Sequence, residues 1–313
     1  MPDLPVVVDE PDMYEYRALL AEQAPHIRLI LCEDPAHPPA EIAEAEILLT
    51  WRPHPAVLQG MPRLKWVHST GAGVEAILRS PHFSPTVTLT RTGNMAGRLM
   101  AEYVVGFLLA MNFQMPLLIQ NQMQHHWQRF NIPTVEGLRC TVLGLGEIGG
   151  AIAQMCKGIG LEVVGVSRTG GDTTAEIPDY PLSQLDTLLP NTDVLIVVVP
   201  LTPATEGMLD ARRLNLLPGN ALVMNLSRGP VIVEQDLIEV LQTRSIGGAV
   251  LDVFDQEPLA TDSPFWELPN VIVTPHIAGP YDAVFCTQSF LQNLERYRSG
   301  QKLNHVVNYE HGY

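Results

Sequence analysis

Three side chains in the last third of the chain could together bind an oxyanion and transfer a proton. They are Arg228, Glu257 and His276. A guanidinium group offers forked donors to carboxylate and carbonyl oxygens, and it stabilises negative charge on a reacting carbonyl. Histidine exchanges a proton near neutral pH, and a neighbouring carboxylate favours its protonated form. Taken singly, Arg228 could be a surface charge, Glu257 a loop carboxylate and His276 a structural histidine.

Each of the three residues follows an apolar segment that predicts a buried strand. The segments that carry them are 225–229, 251–258 and 274–279, and a fourth segment of the same kind is 199–203. Open α/β sheets bind ligands at the carboxyl ends of their strands, and all four segments begin at such ends. The order of the segments therefore favours one shared site over unrelated positions.

A glycine-rich segment, 144–149 (GLGEIG), matches the GxGxxG pattern of dinucleotide-binding turns. It follows a predicted strand and opens a predicted helix, which is the context that the pattern requires. Gly144 would permit the tight turn, Gly146 the approach of a pyrophosphate, and Gly149 close packing of helix and strand. The helix N-terminus would then bind the phosphates. The alternative is a glycine-rich turn without a ligand.

The residues after the next predicted strand, Ser167, Arg168 and Thr169, indicate the cofactor. Sites for NAD place an acid about 20 residues after the first glycine, where it bonds the ribose 2′-hydroxyl. Here that position carries a hydroxyl group followed by an arginine, which suits a 2′-phosphate. The sequence predicts NADPH, with NADH as the less favoured cofactor, unless Arg168 is an ordinary surface arginine.

Apolar segments alternate with helical patterns along the chain, as in parallel sheets covered by helices. In the first third, strands are predicted over 5–8, 27–31, 47–49, 64–68 and 87–89, and helices over 14–22, 40–45 and 74–78. Later strands are predicted over 140–143, 162–166, 195–199, 221–225, 248–253 and 271–273, and helices over 101–112, 148–158 and 234–242. The helix over 101–112 is apolar nearly all round, so it should be buried in the core or against a partner. The fold class is therefore α/β, with two doubly wound parallel-sheet domains.

Composition narrows the class of protein. The chain has 313 residues, which suit two domains, and its net charge of −15 disfavours nucleic-acid binding. The longest apolar run, 103–111, is about half of what a bilayer span needs. The start, 1–3, lacks the basic region of a secretory signal, so a cytoplasmic protein is expected. Neither the four cysteines nor the pair 125–126 (HH) has a spacing that predicts a metal site.

Four motifs follow one another at spacings that are specific together. They are GLGEIG at 144–149, SRG at 227–229, DVFDQEP at 252–258 and TPHIAG at 274–279. Over nearly its whole length the chain thereby resembles the D-2-hydroxyacid dehydrogenase family. The segments 50–53 (TWRP) and 71–74 (GAGV) make it most similar to the bacterial glyoxylate/hydroxypyruvate reductase (GhrA-like) branch. The resemblance implies a reductase for a small 2-keto acid that forms the D-2-hydroxy acid.

The resemblance also implies roles for individual residues. Arg228 matches the arginine that binds the substrate carboxylate and polarises its carbonyl, His276 the acid/base, and Glu257 the carboxylate partner of that histidine. Asp252 matches a residue near the nicotinamide amide. The cofactor-binding residues are predicted to be Gly144, Gly146, Glu147, Ile148, Gly149, Ser167, Arg168, Thr169, Val199, Pro200, Thr205, Leu226, Asp252 and Ala278. The substrate-binding residues are predicted to be Trp51, Arg52, Ala72, Gly73, Val74, Arg228 and His276.

Two of these substrate assignments also have a physical basis. Backbone N–H groups of the glycine-rich loop 72–74 could bind a carboxylate. Trp51 and Arg52 follow a predicted strand, where Trp51 could equally serve packing alone.

Finally, the resemblance implies how two domains share the chain. Residues 1–95 and 280–313 would form a flavodoxin-like substrate-binding domain, into which a Rossmann NAD(P)-binding domain, 96–279, is inserted. The helix following Asn94 would pair two copies in a homodimer. Two alternatives stay open: a reductase for a larger 2-keto acid, and a nucleotide-sensing protein without catalysis on the same fold.

Overall fold

The computed structural model describes residues 4–93, 96–171, 177–279 and 282–309. The chain divides into two compact units, Met1–Gly93 with Tyr281–Tyr313, and Asn94–Pro280. The sequence predicts domain boundaries after residues 95 and 279, whereas the two units are divided after residues 93 and 280. Residues 94–95 and 280–281, next to these boundaries, lie outside the described residues. The assignment of substrate and cofactor binding to separate domains therefore stays a prediction.

The first unit is built on a parallel sheet. Its strands are β1 (Leu4–Asp9), β2 (Ile27–Leu31), β3 (Ile47–Thr50), β4 (Trp66–Ser69) and β5 (Thr88–Arg91), and its first helices are α1 (Met13–Gln23), α2 (Pro55–Gln59) and α3 (Glu75–Leu78). In the described residues the strand order is β2-β1-β3-β4-β5, the order of flavodoxin-like sheets. The predicted helix over 40–45 is a 3₁₀-helix, Ala40–Glu44.

Both faces of this sheet are buried, which explains why its strands are apolar throughout instead of alternating. Val7 and Leu48 pack in one cluster with residues of α2 and α3. Val8 and Leu49 point to the opposite face and pack in a second cluster with residues of α1.

The second unit carries the larger sheet. Its elements are α4 (Ala96–Asn112), α5 (Met115–Met123), β6 (Arg139–Leu143), α6 (Glu147–Gly158), β7 (Glu162–Ser167), β8 (Asp179–Pro181), α7 (Leu185–Leu188), β9 (Val194–Val197), α8 (Ala211–Leu214), β10 (Leu222–Asn225), α9 (Glu234–Gln242), β11 (Gly248–Leu251) and β12 (Val271–Val273). Among the described residues the strands are parallel in the order β12-β11-β10-β9-β6-β7-β8. The order reverses between β6 and β9, and such a switch point is where open α/β sheets bind ligands.

The chain then returns to the first unit through α10 (Ala283–Arg298), where Phe290 and Leu294 join the cluster of α1. The fold class predicted from the sequence, α/β with two doubly wound parallel-sheet domains, is confirmed.

Helix α4 has a buried stripe and a less buried remainder. Met100, Val104 and Leu108 recur every four residues and lie in the core with Ile152 of α6. In the described part of the chain, no single helix is long and apolar enough to cross a membrane. The segments Gly97–Asn112 and Met115–Met123 reach that length and hydropathy only as a pair, with a 60° bend between them.

Candidate active site

The glycine-rich turn joins β6 to α6 through close backbone contacts. Gly144 has a φ of +105°, and a Cβ there would lie 2.7 Å from the carbonyl oxygen of Val198. A Cβ on Gly149 would lie 1.8 Å from the carbonyl oxygen of Gly144, so α6 can start at this depth only with glycine there. The turn therefore has the geometry that the sequence motif predicts.

The start of α6 fits a phosphate group. Gly146 is the N-cap of this twelve-residue helix, and no side chain of the described residues caps it. A Cβ on Gly146 would meet no described atom within 4 Å, so there is open space in front of the first-turn N–H groups. Such N–H groups and the helix dipole bind phosphates. Glu147 is exposed and Ile148 half-buried beside this space.

The end of β7 contains a carboxylate that sequence reasoning missed. The Ser167 hydroxyl donates to Oδ2 of Asp179 (2.8 Å) and accepts from the backbone N–H of Gly170 (3.0 Å). Asp179 belongs to β8, the neighbouring strand, and its other carboxylate oxygen is buried without a described partner. Arg168 and Thr169 are exposed. The expected ribose pocket thus combines an exposed arginine with an acid from the next strand.

Five further residues of the predicted cofactor set follow the ends of β9, β10 and β12. The Thr205 hydroxyl donates to the carbonyl oxygen of Pro200 (2.6 Å) and accepts from the backbone N–H of Thr202 (2.8 Å), so it organises the loop after β9. Leu226 and Ala278 are 6% and 3% exposed and pack in the core. Any contact of these two with a cofactor would therefore be made mainly by the backbone. Val199, the remaining residue of that set at these strand ends, is half-buried.

Arg228 stands on a turn that Asn225 organises at the end of β10. The Asn225 side chain accepts from the backbone N–H of Ser227 (3.1 Å) and from its hydroxyl (2.8 Å), and it donates to the carbonyl oxygen of Arg228 (3.1 Å). One guanidinium nitrogen of Arg228 donates to the carbonyl oxygen of Ser227 (2.7 Å). The buried Asn225 was not predicted as a site residue, although it lies two residues before the SRG motif.

Gly229 locks this turn to the segment that follows β11. A Cβ on Gly229 would lie 2.0 Å from the carbonyl carbon of Phe254, so the two backbones touch. Phe254 also donates its backbone N–H to Oε1 of Glu257 (3.1 Å). The loops that carry Arg228 and Glu257 are therefore packed directly against each other.

Glu257 and His276, which the resemblance implies to be an acid–base pair, are in contact. Oε2 of Glu257 lies 2.8 Å from Nδ1 of His276, and the side chains are 26% and 27% exposed. At this distance the carboxylate can hold the orientation of the ring through Nδ1. The structure thus brings together two residues that are 19 positions apart in sequence.

Asp252 holds the loop that carries His276. Its carboxylate accepts from the Thr274 hydroxyl (2.6 Å) and from the backbone N–H groups of Ile277 and Ala278 (both 2.9 Å). The backbone N–H of His276 donates to the carbonyl oxygen of Asp252 (2.9 Å), and His276 has a φ of +55°. A non-glycine residue keeps this conformation only where its surroundings hold it. Both carboxylate oxygens of Asp252 are therefore used in hydrogen bonds to the loop that carries His276.

The predicted substrate-binding residues of the first unit follow β3 and β4. The guanidinium carbon of Arg52 lies 4.3 Å from the centre of the Trp51 ring, a cation–π contact. Ala72 is exposed and Gly73 half-buried, whereas Val74 is 2% exposed and packs in the core. Val74 can therefore offer a ligand little more than its backbone.

A buried carboxyl group, Glu10, anchors the start of the 71–74 loop. The Thr70 hydroxyl donates to its Oε1 (2.7 Å). Burial raises the pKa of Glu10 to about 8, despite the opposing effect of Thr70. The residue is therefore mostly uncharged at neutral pH. Sequence reasoning missed it, although Asp9 and Glu10 directly follow the first apolar strand.

No group of three or more His, Cys, Asp or Glu side chains in the described ranges could hold a metal ion. The four cysteines are all buried and free of disulfides.

Comparison with known proteins was made on sequence and on structure. The family model described as "D-isomer specific 2-hydroxyacid dehydrogenase, NAD binding domain" matches residues 105–278. Glyoxylate/hydroxypyruvate reductase A of Enterobacter sp. (strain 638) is 32% identical over 280 residues, which are 86% of this chain and 88% of the relative.

Two solved structures superpose over almost the whole chain. One is the NADPH-dependent glyoxylate/hydroxypyruvate reductase of Sinorhizobium meliloti in complex with NADP and sulfate: TM-score 0.92, 32% identity, 99% of this chain and 100% of the other. The other is the D-isomer specific 2-hydroxyacid dehydrogenase of Xanthobacter autotrophicus Py2 with NADPH and MES: TM-score 0.91, 29% identity, with the same coverage.

Proposed function

Because this chain belongs to the D-isomer specific 2-hydroxyacid dehydrogenase family, we propose that it reduces a small 2-keto acid with NADPH. The substrate is of the glyoxylate or hydroxypyruvate type, and the product is the D-2-hydroxy acid. The names of the similar reductases and the bound NADP and NADPH of the similar structures support this choice. We place the enzyme in the cytoplasm, as the sequence predicts.

The observation that carries the proposal is the contact between Glu257 and His276 beside the turn of Arg228. These residues follow β11, β12 and β10, which are consecutive strands of one parallel sheet. Their side chains therefore arise at the same edge of the sheet as the glycine-rich turn after β6. An anion-binding group, a proton donor and a phosphate-binding helix start are what this reduction requires.

In the proposed mechanism Arg228 binds the substrate carboxylate and polarises the keto oxygen. NADPH, when bound, supplies the hydride that reduces the keto carbon, and its phosphates would lie at the start of α6. His276 holds a proton on Nε2, because Nδ1 faces Glu257, and delivers it to the developing alkoxide. Glu257, in contact with Nδ1, keeps the ring oriented for that transfer. In the first unit, Trp51, Arg52 and the loop 72–74 stay predicted substrate-binding residues.

Initial rates with glyoxylate, hydroxypyruvate, pyruvate and phenylpyruvate, each with NADPH and NADH, test the proposal. The expected result is turnover of glyoxylate and hydroxypyruvate, with lower kcat/KM for the other two keto acids. A higher kcat/KM for phenylpyruvate would instead assign a larger 2-keto acid. Nucleotide binding without turnover of any of the four would identify a protein that senses nucleotide.

The preference for NADPH should depend on Arg168. An arginine bound to a 2′-phosphate makes a charge-assisted hydrogen bond. Because Arg168 is exposed to solvent and salt, we expect this bond to raise the affinity for NADPH by only about 10-fold. We expect Arg168→Ala to raise the Kd for NADPH and to leave that for NADH little changed. Fluorescence titration with both cofactors measures the two constants.

Two further substitutions test the charge of the same pocket in opposite directions. Ser167→Asp adds a carboxylate, so it should weaken NADPH further and favour NADH. Asp179→Asn removes a carboxylate that is bound to Ser167, so it should raise the preference for NADPH. Equal loss of both cofactors in Arg168→Ala would show that Arg168 does not read the 2′-phosphate.

We also propose that the chain forms a homodimer. Exposed apolar side chains concentrate on α5 and the segment after it, where Ile119, Met123 and Trp127 are 52%, 79% and 91% exposed. On α4, Phe107 and Met111 pack against the core and are only half-buried. An apolar surface of this kind is typical of an interface, and two-fold dimers are the commonest assembly of soluble proteins.

Light scattering at micromolar concentration should therefore give twice the chain mass. Met123→Ser combined with Trp127→Ser should shift the protein to the mass of one chain, because it removes apolar area from this surface. Tyr14→Ser, which changes an exposed aromatic residue on α1, is the matched control and should leave the mass unchanged. A single-chain mass for the wild type would contradict the dimer.

A further inference from the structure

We propose that Tyr103 is a positioning residue for this reaction: through Thr274 and Asp252, its hydroxyl group holds the loop that carries His276. The proposal deepens the function proposed above and rests on it for the role of His276. Tyr103 lies on α4, 171 positions before Thr274, and its oxygen is 2.6 Å from the Thr274 hydroxyl oxygen.

The relay Tyr103–Thr274–Asp252 ends at a residue that accepts four hydrogen bonds from one loop, three on its carboxylate and one on its backbone carbonyl. Asp252 is 1% exposed, and its two carboxylate oxygens accept from Thr274, Ile277 and Ala278. The backbone of Asp252 accepts from the N–H of His276. Residues on both sides of His276 are thus bound to a single residue of the neighbouring segment.

Hydrogen-bond chemistry fixes the direction of the relay. Thr274 has one hydroxyl proton, and it goes to Asp252 because an ionised carboxylate only accepts. The contact between Tyr103 and Thr274 then requires Tyr103 to be the donor. Burial, which is the main cause, and the charge of Asp252 both raise the pKa of Tyr103, so its hydroxyl keeps this proton.

The relay matters because water has little access to the hydrogen bond between Thr274 and Asp252. Thr274 is 6% exposed, so water cannot readily replace Tyr103 as its donor. Without that donor, the buried hydroxyl oxygen of Thr274 accepts no hydrogen bond, and the hydroxyl group is less firmly oriented. The loop must nevertheless keep His276 at a φ of +55° with its ring on Glu257. A small displacement of an acid–base group slows the chemical step more than it weakens binding.

The ring of Tyr103 is held independently of its hydroxyl. Its centre lies 4.4 Å from that of Phe107, one helical turn further along α4. Phenylalanine at position 103 would therefore keep the packing and remove only the donor. Tyr103→Phe is for this reason the appropriate variant.

We expect Tyr103→Phe and Thr274→Val each to lower kcat by roughly 10-fold, within the 10²-fold that a misplacement of about 1 Å can cost. The KM values should change by less than about 2-fold, since substrate and cofactor contacts remain. Thr274→Ser keeps the hydroxyl and should retain most of the activity. The double variant should be no slower than either single variant, because both break the same relay.

Tyr297→Phe is the matched control. It also removes a tyrosine hydroxyl that donates a hydrogen bond, here to the carboxylate of Glu46 in the first unit. It should leave kcat unchanged. A fall in kcat of the same size in this control would overturn the proposal, as would multiplicative effects in the double variant.

Amide hydrogen exchange gives a readout that does not need turnover. In Tyr103→Phe the peptides that contain Ile277 and Ala278 should exchange faster, while those of β6 should not. Unchanged exchange together with unchanged kcat overturns the proposal. If the wild type reduced none of the keto acids, the proposed function would fail, and faster exchange would still support the relay. Should Tyr103→Phe not fold, equal rates in Thr274→Val and Thr274→Ser would overturn it.

Discussion

Replacing His276 with alanine should lower kcat by roughly 10²–10⁴-fold, the usual range for the loss of an acid–base catalyst. The alkoxide that forms on the substrate then has only water as a proton donor. The Kd for NADPH should not change, because the phosphate-binding start of α6 is untouched. Stopped-flow measurement of NADPH oxidation, with a separate fluorescence titration of the cofactor, separates the two quantities.

The partner of His276 supports this test. Glu257→Gln keeps a side chain of the same shape beside Nδ1 but replaces the carboxylate that contacts the ring with a neutral amide. It should reduce kcat, but less than His276→Ala does, because the imidazole itself remains. His26→Ala, at an exposed histidine of the first unit, is the control and should match the wild type. Turnover near the wild-type rate in His276→Ala would remove His276 as the donor.

Arg228→Lys should lower kcat/KM by about 10²–10³-fold, comparable to the loss of one donor to a developing oxyanion. Lysine keeps the positive charge, but it cannot contact two oxygens at fixed angles as the planar guanidinium does. Both weaker substrate binding and slower chemistry should follow, so KM should rise and kcat should fall. Steady-state rates over a range of keto acid concentrations give both constants.

The conformation of this turn makes the substitution specific. Asn225 and Gly229 fix the backbone of Arg228, so lysine would start from the same Cα position. Arg17→Lys, at an exposed arginine of α1, repeats the chemical change away from the site and should have no effect. A kcat/KM equal to that of the wild type in Arg228→Lys would show that charge alone suffices.

Much of the fold could be predicted because the strands are continuous apolar runs. Such runs are expected where both faces of a parallel sheet are covered, and β1, β3, β9 and β10 are of this kind. Strand β8 was missed because its three residues, Asp179, Tyr180 and Pro181, have none of that signal. Its absence from the prediction hid Asp179, the acid beside the expected ribose pocket.

Helix α4 shows a different limit. An apolar surface all round indicates burial, but it does not say which side faces the core and which faces a partner. The structure places Met100, Val104 and Leu108 in the core, and the more exposed apolar residues lie instead on α5. No helix was predicted over α5, which begins at Met115 and runs into a stretch rich in polar residues, 120–129.

For the candidate site, the sequence predicts the side chains that would contact a ligand, but not the residues that hold those side chains in place. Arg228, Glu257 and His276 could be proposed from the sequence because motifs mark the ends of the strands that carry them. The residues that hold them, Asn225 and Tyr103, carry no such mark, since their partners are set by tertiary packing. Hydrogen bonds across 171 sequence positions have no local pattern.

The division of the chain into two units has an evolutionary consequence. The residues proposed for proton transfer and cofactor binding all belong to one unit, whereas Trp51, Arg52 and the loop 72–74 belong to the other. In the proposed enzyme, substitutions in the loops of the smaller sheet could therefore change which keto acid is accepted without disturbing the hydrogen bonds around His276. Selection could then act on substrate range while the residues of the reaction are inherited unchanged.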